Sequence, residues 1–205
     1  MKLFLASTSP RRHQLLKETG FTFETLAPTS EEIEHPGESP KKMVARLSDE
    51  KAYNVSERVK TKLATVIIIA ADTTVVAPDG KKALGKPTNK AHAEKILALI
   101  SGRTHRVFTA FTILKMERGK IKKVLTHVVE TKVKMRKLTP TQIKNYVLSG
   151  EPMDKAGAYG AQGIGMCLIE SIRGSYSNVV GLPMAELTED LKKEFNIYPH
   201  WDLKK

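Results

Sequence analysis

The segment from Val66 to Thr74, VIIIAADTT, constrains the fold more than any other part of this sequence. Its first six residues, Val66 to Ala71, are an unbroken run of β-branched and small apolar side chains. Such a run predicts a strand that is buried on both faces, as in the sheets of α/β proteins. We expect the strand to end at Asp72, where ligands of open α/β sheets bind, which makes Asp72 a candidate for catalysis or metal binding. The alternative is that Asp72 caps a turn before a second strand over residues 75–77.

The composition indicates an ordinary globular protein. Of its 205 residues, 40% are hydrophobic and 27% are charged, which suits one domain over residues 1–205, or one domain with two lobes. No apolar run approaches the roughly 20 residues of a membrane helix, and the N-terminus lacks the layout of a signal peptide. A single cysteine, Cys167, excludes an internal disulfide framework. These features favour a reducing compartment, the cytoplasm.

The net charge of +12 favours an anionic partner, either a nucleotide or a nucleic acid. Lysines are spread along the chain and do not form one basic block with interleaved aromatic residues. Nucleic-acid grooves combine clustered charge with stacking surfaces, so this spread favours solvated faces. We therefore expect no membrane partner, and nucleic acid is the weaker of the two anionic candidates.

The first twenty residues predict a strand, a hydroxyl-rich turn and a helix. The strand spans Lys2 to Ala6, and the helix spans Pro10 to Thr19 with Gly20 at its end. Free N–H groups at the start of the helix attract anions. The polar side chains at this turn, which add to that attraction, are Ser7, Ser9, Arg11 and Arg12. We expect an anion cradle here, and the alternative is an exposed, capped helix with solvated arginines.

The rest of the chain alternates between strand and helix patterns. Strands are predicted over 21–27, 104–116, 122–135 and 166–169, and helices over 41–60, 89–100, 141–148 and 182–195. Lys51 lies close to the apolar stripe of the 41–60 helix, so its ammonium group needs a carboxylate or phosphate partner. Lys86 lies between Gly85 and Pro87, where the extended backbone lets a ligand approach.

One long segment, Ser149 to Gly165, contains five glycines and predicts an irregular loop. A long irregular loop in a compact domain is usually functional. Residues 175–181 predict a polar turn. Three histidines match no metal-ligand spacing and are expected to be structural: His92, His105 and His127.

Several separated motifs together closely resemble the Maf family of nucleoside triphosphate pyrophosphatases. They are LASTSPRR at 5–12, AADTTV at 70–75, LGKP at 84–87, SGEPMDKAGAYGAQG at 149–163 and GSYSNVVGLP at 174–183. The resemblance covers residues 3–191 and implies the fold of the inosine triphosphate pyrophosphatases, an α/β fold with a long, curved mixed sheet flanked by helices and two lobes around a cleft. It also implies hydrolysis of a nucleoside triphosphate between its α and β phosphates, with Mg²⁺ or another divalent cation such as Mn²⁺. The resemblance does not decide between a monomer and a homodimer.

The resemblance assigns roles to residues of this sequence. Asp72 matches the catalytic aspartate, and Glu32 matches its acidic partner, although Glu31 is an alternative; Asp72 and Glu32 would hold the metal. Ser7 matches a substrate-binding hydroxyl. The basic residues that match phosphate-contacting positions are Arg11, Arg12, Lys51 and Lys86. Two carboxylates suit a hard cation, and four basic groups suit a triphosphate. Water is the expected nucleophile, and Asp72 either deprotonates it or only binds metal.

Three positions resemble the branch of the family that acts on dTTP and UTP: Arg12, Thr73 and Gln162. A glutamine amide complements the N3–H and O4 of thymine or uracil, but it also suits cytosine when it is flipped, so CTP and modified pyrimidines stay open. The alternatives to an enzyme are a basic nucleic-acid-binding module and a regulator of cell division. The tail, residues 196–205, lies outside the motifs and is expected to have a packing role, a dimer role or none.

Overall fold

The computed structural model describes residues 1–59 and 65–202. Its strands are β1 (Lys2–Ala6), β2 (Glu24–Thr25), β3 (Thr65–Val76), β4 (Ala83–Leu84), β5 (Thr104–Glu117), β6 (Lys120–Met135) and β7 (Ile169–Arg173). Its α-helices are α1 (Pro10–Glu18), α2 (Pro40–Arg58), α3 (Lys90–Ile100), α4 (Pro140–Leu148), α5 (Tyr176–Val180) and α6 (Met184–Phe195). The predicted end of the 41–60 helix at Lys60 and the last three residues of the tail lie outside the described residues.

The described strands form one mixed sheet of seven strands. The order is β2-β1-β3-β5-β6-β7, and β4 pairs with β3 outside this path. β1 runs parallel to both β2 and β3, whereas β4 is antiparallel to β3 and β7 is antiparallel to β6. The predicted α/β class with a mixed sheet is therefore confirmed. No helix within the described ranges is long and apolar enough to cross a membrane.

The chain divides into two compact units. The first contains the described residues of 1–72, 109–129 and 181–205, and the second contains 73–108 and 130–180. In the first unit, β3 contributes to a separate core cluster on each face. Ile67, Ile69 and Ala71 pack with residues of α1 and α6, whereas Val66, Ile68 and Ala70 pack with residues of α2. The prediction that this strand is buried on both faces is confirmed.

The second unit has its own core. Apolar residues of α3 and α4 pack there with Val75, Val107, Val133 and Leu168. The glycine-rich segment contains three short 3₁₀ turns, Glu151–Asp154, Ala156–Ala158 and Gly163–Leu168, and no α-helix. The predicted irregularity of this segment is confirmed.

Polar caps explain where several helices begin. Ser9, Ser39 and Thr139 each precede a proline, and each side chain accepts a hydrogen bond from a backbone N–H of the first helical turn. Proline suits the first helical position because its missing N–H would have no partner there. Asn89 caps α3 in the same way without a proline. The starts of these helices follow from the sequence to within a residue.

The prediction that the buried strand ends at Asp72 is wrong. β3 continues without a break to Val76, so Asp72 lies inside it, and the alternative of a turn at this residue is wrong as well. β-branched residues follow Asp72 and favour the extended conformation, and Val75 pairs with Leu84 of β4. The parallel pairing with β1, however, ends at Ala70, two residues before Asp72.

Three other predictions need correction. The strand predicted over 21–27 contains only β2, because this edge segment pairs with two residues of β1. The strand predicted over 166–169 begins only at Ile169, since a 3₁₀ turn occupies the preceding residues. The polar turn predicted over 175–181 contains the short helix α5.

Candidate active site

The centre of the candidate site is an ammonium group between two carboxylates. α2 places Lys51 on its buried face, and β3 presents Asp72 toward it. The Lys51 Nζ lies 2.6 Å from Asp72 Oδ1 and 2.6 Å from Glu32 Oε1. Lys51 and Asp72 are both buried, whereas the Glu32 side chain is 55% exposed. The partner predicted for Lys51 is therefore a pair of carboxylates, and Glu32 is the acidic residue of its loop that reaches this lysine.

A buried polar network holds the turn of α2 that carries Lys51. The Ser48 hydroxyl oxygen lies 2.7 Å from that of Thr112 and 3.4 Å from the carbonyl oxygen of Ala70 on β3. Thr112 donates to Asp49 Oδ1 at 2.7 Å. Sequence analysis did not single out these residues. A signal exists, because Ser48 precedes Lys51 by three positions and so lies on the same face of the helix.

Arg12 lies close to the same carboxylates. Its Nε donates a hydrogen bond of 2.8 Å to the carbonyl oxygen of Gly181, which precedes α6. Burial lowers the pKa of the Arg12 guanidinium, and the charges of Asp72 and Glu32 act in the opposite direction. A guanidinium stays protonated at neutral pH, so Arg12 brings a fixed positive charge to the site.

The turn before α1 gathers the other predicted residues of the first unit. Ser7 is buried, and its hydroxyl oxygen accepts a hydrogen bond of 3.1 Å from the backbone N–H of Ser9. Ser9 caps α1, and Arg11 follows in the first turn of that helix. The strand, the turn and the basic helix start therefore form as predicted.

The remaining predicted residues belong to the second unit. Thr73 follows Asp72 directly on β3 and is half-buried. Lys86 is exposed after β4, and the Gly157 N–H donates to the carbonyl oxygen of Gly85 at 3.2 Å, which ties the Lys86 segment to the glycine-rich loop. Gln162 is half-buried within that loop. Thr73, Lys86 and Gln162 thus belong to one compact unit.

The histidines agree with a structural interpretation. His92, His105 and His127 lie within hydrogen-bonding distance of Thr88, Tyr159 and Asp190, respectively. Within residues 1–59 and 65–202, no group of three or more His, Cys, Asp or Glu side chains could hold a metal ion. A cation at Asp72 and Glu32 would therefore need oxygen atoms from water or substrate to complete its coordination.

Comparison with known proteins adds independent information. The profile of the family described as Maf-like protein matches residues 2–194. A dTTP/UTP pyrophosphatase of Thermoanaerobacter sp. (strain X514) is 43% identical over 197 residues, which cover 96% of this chain and 98% of the relative. A protein of the same name from Salmonella typhimurium is 44% identical over 194 residues, which cover 95% of this chain and 93% of the relative. Among solved structures, a HAM1 protein from Coxiella burnetii matches with a TM-score of 0.47 and 13% identity, over 82% of this chain and 80% of that one.

Proposed function

This chain belongs to the family of Maf-like proteins, and on that premise we propose that it hydrolyses dTTP and UTP to the nucleoside monophosphate and pyrophosphate. The observation that carries the proposal is the identity of 43–44% to relatives named dTTP/UTP pyrophosphatase, over nearly the whole chain. The alternatives, a nucleic-acid-binding module and a regulator of cell division, have no comparable support. Hydrolysis of these nucleotides would serve to clean the nucleotide pool.

Asp72 and Glu32 are the residues that would hold a divalent cation, Mg²⁺ or Mn²⁺. The arrangement of these two carboxylates supports this, because an oxygen of each lies 2.6 Å from the same atom, Lys51 Nζ. Mg²⁺ is commonly bound through one or two carboxylates together with water and substrate phosphates. When bound, such a cation neutralises phosphate charge and polarises the phosphorus atom toward attack.

The basic residues would bind the triphosphate. Arg11 and Arg12 at the start of α1 provide guanidinium groups at the positive end of a helix dipole, a combination that suits phosphate oxygens. Lys51 and Lys86 add ammonium groups, and Ser7 adds a hydroxyl. Charge stabilisation of the pyrophosphate leaving group is the main contribution expected of such residues in phosphoryl chemistry. Water is the expected nucleophile, and Asp72 would either deprotonate it or only hold the cation.

Base recognition is assigned to Gln162, with Thr73 and Arg12 as further specificity positions. The amide of Gln162 offers one donor and one acceptor, which complement the acceptor O4 and the donor N3–H of uracil and thymine. In the described part of the chain, this amide makes no hydrogen bond to another side chain or to the backbone, so both groups are available to a base.

The first experiment is pyrophosphate release by the purified protein with Mg²⁺, for dTTP, UTP, CTP, GTP, 7-methyl-GTP and ITP. We expect the highest kcat/KM for dTTP and UTP. Turnover of purine nucleotides alone would contradict the specificity but keep the enzyme class. A lack of pyrophosphate from every nucleotide would contradict the proposal as a whole.

The variant Asp72→Asn tests the site. We expect it to lower kcat by at least about a hundredfold while the circular dichroism spectrum is retained, because the amide keeps the shape of the side chain but loses its charge. Asp79→Asn is the matched control, since Asp79 accepts hydrogen bonds from its own turn, and asparagine serves equally well there. Salt-dependent nucleic-acid binding that Asp72→Asn does not change would favour the binding module instead.

Three further predictions accompany the proposed function. A single domain over residues 1–205 stays a prediction. Assembly as a homodimer also stays a prediction, and size-exclusion chromatography with light scattering would test it. A cytoplasmic location stays a prediction that rests on the single cysteine, Cys167.

A further inference from the structure

The carboxylate of Glu151 is the centre of the glycine-rich loop in the second unit. The Tyr146 hydroxyl donates a hydrogen bond of 2.8 Å to Glu151 Oε1, and the backbone N–H of Gly165 donates to the same oxygen at 2.8 Å. The backbone N–H of Ile164 donates to Oε2, also at 2.8 Å. Three donors thus converge on one side chain, and two of them belong to the backbone on the far side of Gln162.

These hydrogen bonds keep Glu151 ionised. Burial raises the pKa of the Glu151 carboxyl, but the two backbone N–H groups and the Tyr146 hydroxyl outweigh burial, and the pKa lies below its ordinary value. Charge-assisted hydrogen bonds of this kind are about twice as strong as neutral ones. Glu151 therefore holds the loop as an anion throughout the neutral pH range.

The glycines of the loop allow it to close around this carboxylate. A Cβ atom on Gly163 would lie 2.6 Å from Glu151 Oε2, and the positive φ of +72° at this residue also disfavours a side chain. A Cβ atom on Gly160 would lie 2.8 Å from the carbonyl oxygen of Gln162 and 3.2 Å from Glu151 Oε1. Gly163 in particular is required where the backbone packs closely on the Glu151 side chain.

The loop is also fixed on the near side of Gln162. The Gly160 N–H donates to the Tyr146 hydroxyl at 3.2 Å, and the Tyr176 hydroxyl donates to the carbonyl oxygen of Ala161 at 3.0 Å. Gln162 therefore lies between two anchored segments, each one or two residues away. The backbone of this residue is held, while its amide remains available.

We propose that Glu151 is a positioning residue for base recognition, which acts by holding the loop so that the Gln162 side chain stays within reach of the base. This inference rests on the proposed function, in which Gln162 reads the pyrimidine. Any preference for uracil over cytosine that the Gln162 amide provides requires that amide to reach the edge of the base, so a loop that moves away from the base lowers this preference. Tyr146 supports Glu151 in this role.

The test is the ratio of kcat/KM for UTP to that for CTP in Glu151→Gln. Glutamine keeps the volume of the side chain, but its NH₂ group cannot accept a hydrogen bond. The N–H of Ile164 or that of Gly165 therefore loses its acceptor. We expect the UTP:CTP ratio to fall by about tenfold. The matched control is Glu170→Gln, the same substitution at an exposed residue of β7, which should keep the wild-type ratio.

Tyr146→Phe is the second variant, in case Glu151→Gln does not fold. It removes the hydroxyl that joins Glu151 to Gly160, and we expect a smaller fall in the same ratio. Hydrogen exchange should show faster exchange at the Ile164 and Gly165 amides of Glu151→Gln. Equal losses of kcat/KM for UTP and CTP, or an unchanged ratio, would overturn the inference. A wild-type protein that releases no pyrophosphate would instead overturn the proposed function.

Discussion

Lys51 neutralises Asp72 through a buried contact of 2.6 Å, and the same ammonium group contacts Glu32. One positive charge thus lies at the point where two carboxylates meet. A divalent cation that both carboxylates bind would have to replace Lys51 at this point. Lys51 and such a cation would therefore compete for the same oxygens, and the phosphates of the proposed nucleotide substrate would offer the lysine new partners.

Lys51→Met should strengthen Mn²⁺ binding to the nucleotide-free protein by about tenfold or more, because methionine removes the competing charge and keeps much of the side-chain volume. The same variant should lose most of its pyrophosphate release. Isothermal titration or the electron paramagnetic resonance signal of free Mn²⁺ measures the affinity directly.

The control is Lys2→Met, which removes the same charge from an exposed ion pair with Glu24. It should bind Mn²⁺ as the wild type does. If Lys51→Met is folded and binds Mn²⁺ no more tightly than Lys2→Met, Lys51 does not compete with the cation.

Arg12→Lys should raise KM for dTTP by about tenfold, because lysine keeps the charge but loses the planar guanidinium that bonds to the Gly181 carbonyl. Steady-state kinetics would show this as a KM effect larger than the kcat effect. Arg136→Lys is a matched control, since exposed Arg136 also donates to a backbone carbonyl oxygen, that of Cys167. Equal KM values in the two variants would contradict a substrate role for Arg12.

Local signals in the sequence predicted much of this fold. The caps Ser9, Ser39 and Thr139 with their prolines determine where three helices begin, because cap and proline act within one turn. The apolar run before Asp72 predicted a buried strand, since burial on both faces leaves no place for polar side chains. The position of Lys51 next to an apolar stripe predicted a carboxylate or phosphate partner, and the structure shows the carboxylates of Asp72 and Glu32.

Long-range pairing was not predictable from such signals. The hydrogen bond of Ser48 to Thr112 joins residues 64 positions apart. The carboxylate of Glu151 organises backbone that follows it by more than a dozen residues. Each of these contacts requires the tertiary fold.

Gly20→Ala should detach the tail from α1. Gly20 has a φ of +85°, and an added Cβ would overlap the ring of His200. Beside it, Trp201 donates its Nε1–H to the carbonyl oxygen of Thr19 at 2.9 Å. Since Trp201 is the single tryptophan of the chain, its emission should shift when this contact is lost.

The control for the tail is Gly37→Ala. Gly37 has a similar φ of +78°, but an added Cβ would meet no atom within 4 Å. Both substitutions introduce backbone strain of about 1 kcal/mol, and only Gly20→Ala should change the tryptophan spectrum. Identical spectra for the two variants would argue against the packing role of the tail.

His105 makes the protein sensitive to acid. Its Nε2 lies 2.8 Å from the Tyr159 hydroxyl, and its buried Nδ1 has no hydrogen-bond partner within the described residues. Burial lowers the pKa of His105 from 6.5 to about 4. The unfolded chain therefore binds a proton between these two pH values that the folded protein does not bind. The contribution of neutral His105 to stability is complete above pH 6.5 and is lost as the pH falls toward 4.

His105→Gln should flatten the dependence of the unfolding free energy on pH in this window. From the two pKa values of 6.5 and about 4, the wild type should lose about 3 kcal/mol more than the variant between neutral pH and pH 4. Urea unfolding at a series of pH values measures both curves. Tyr159→Phe, which leaves the histidine buried, should keep the slope of the wild type. Parallel curves for the wild type and His105→Gln would show that His105 takes up a proton equally well in the folded protein, and the acid sensitivity would then have to come from the carboxylates.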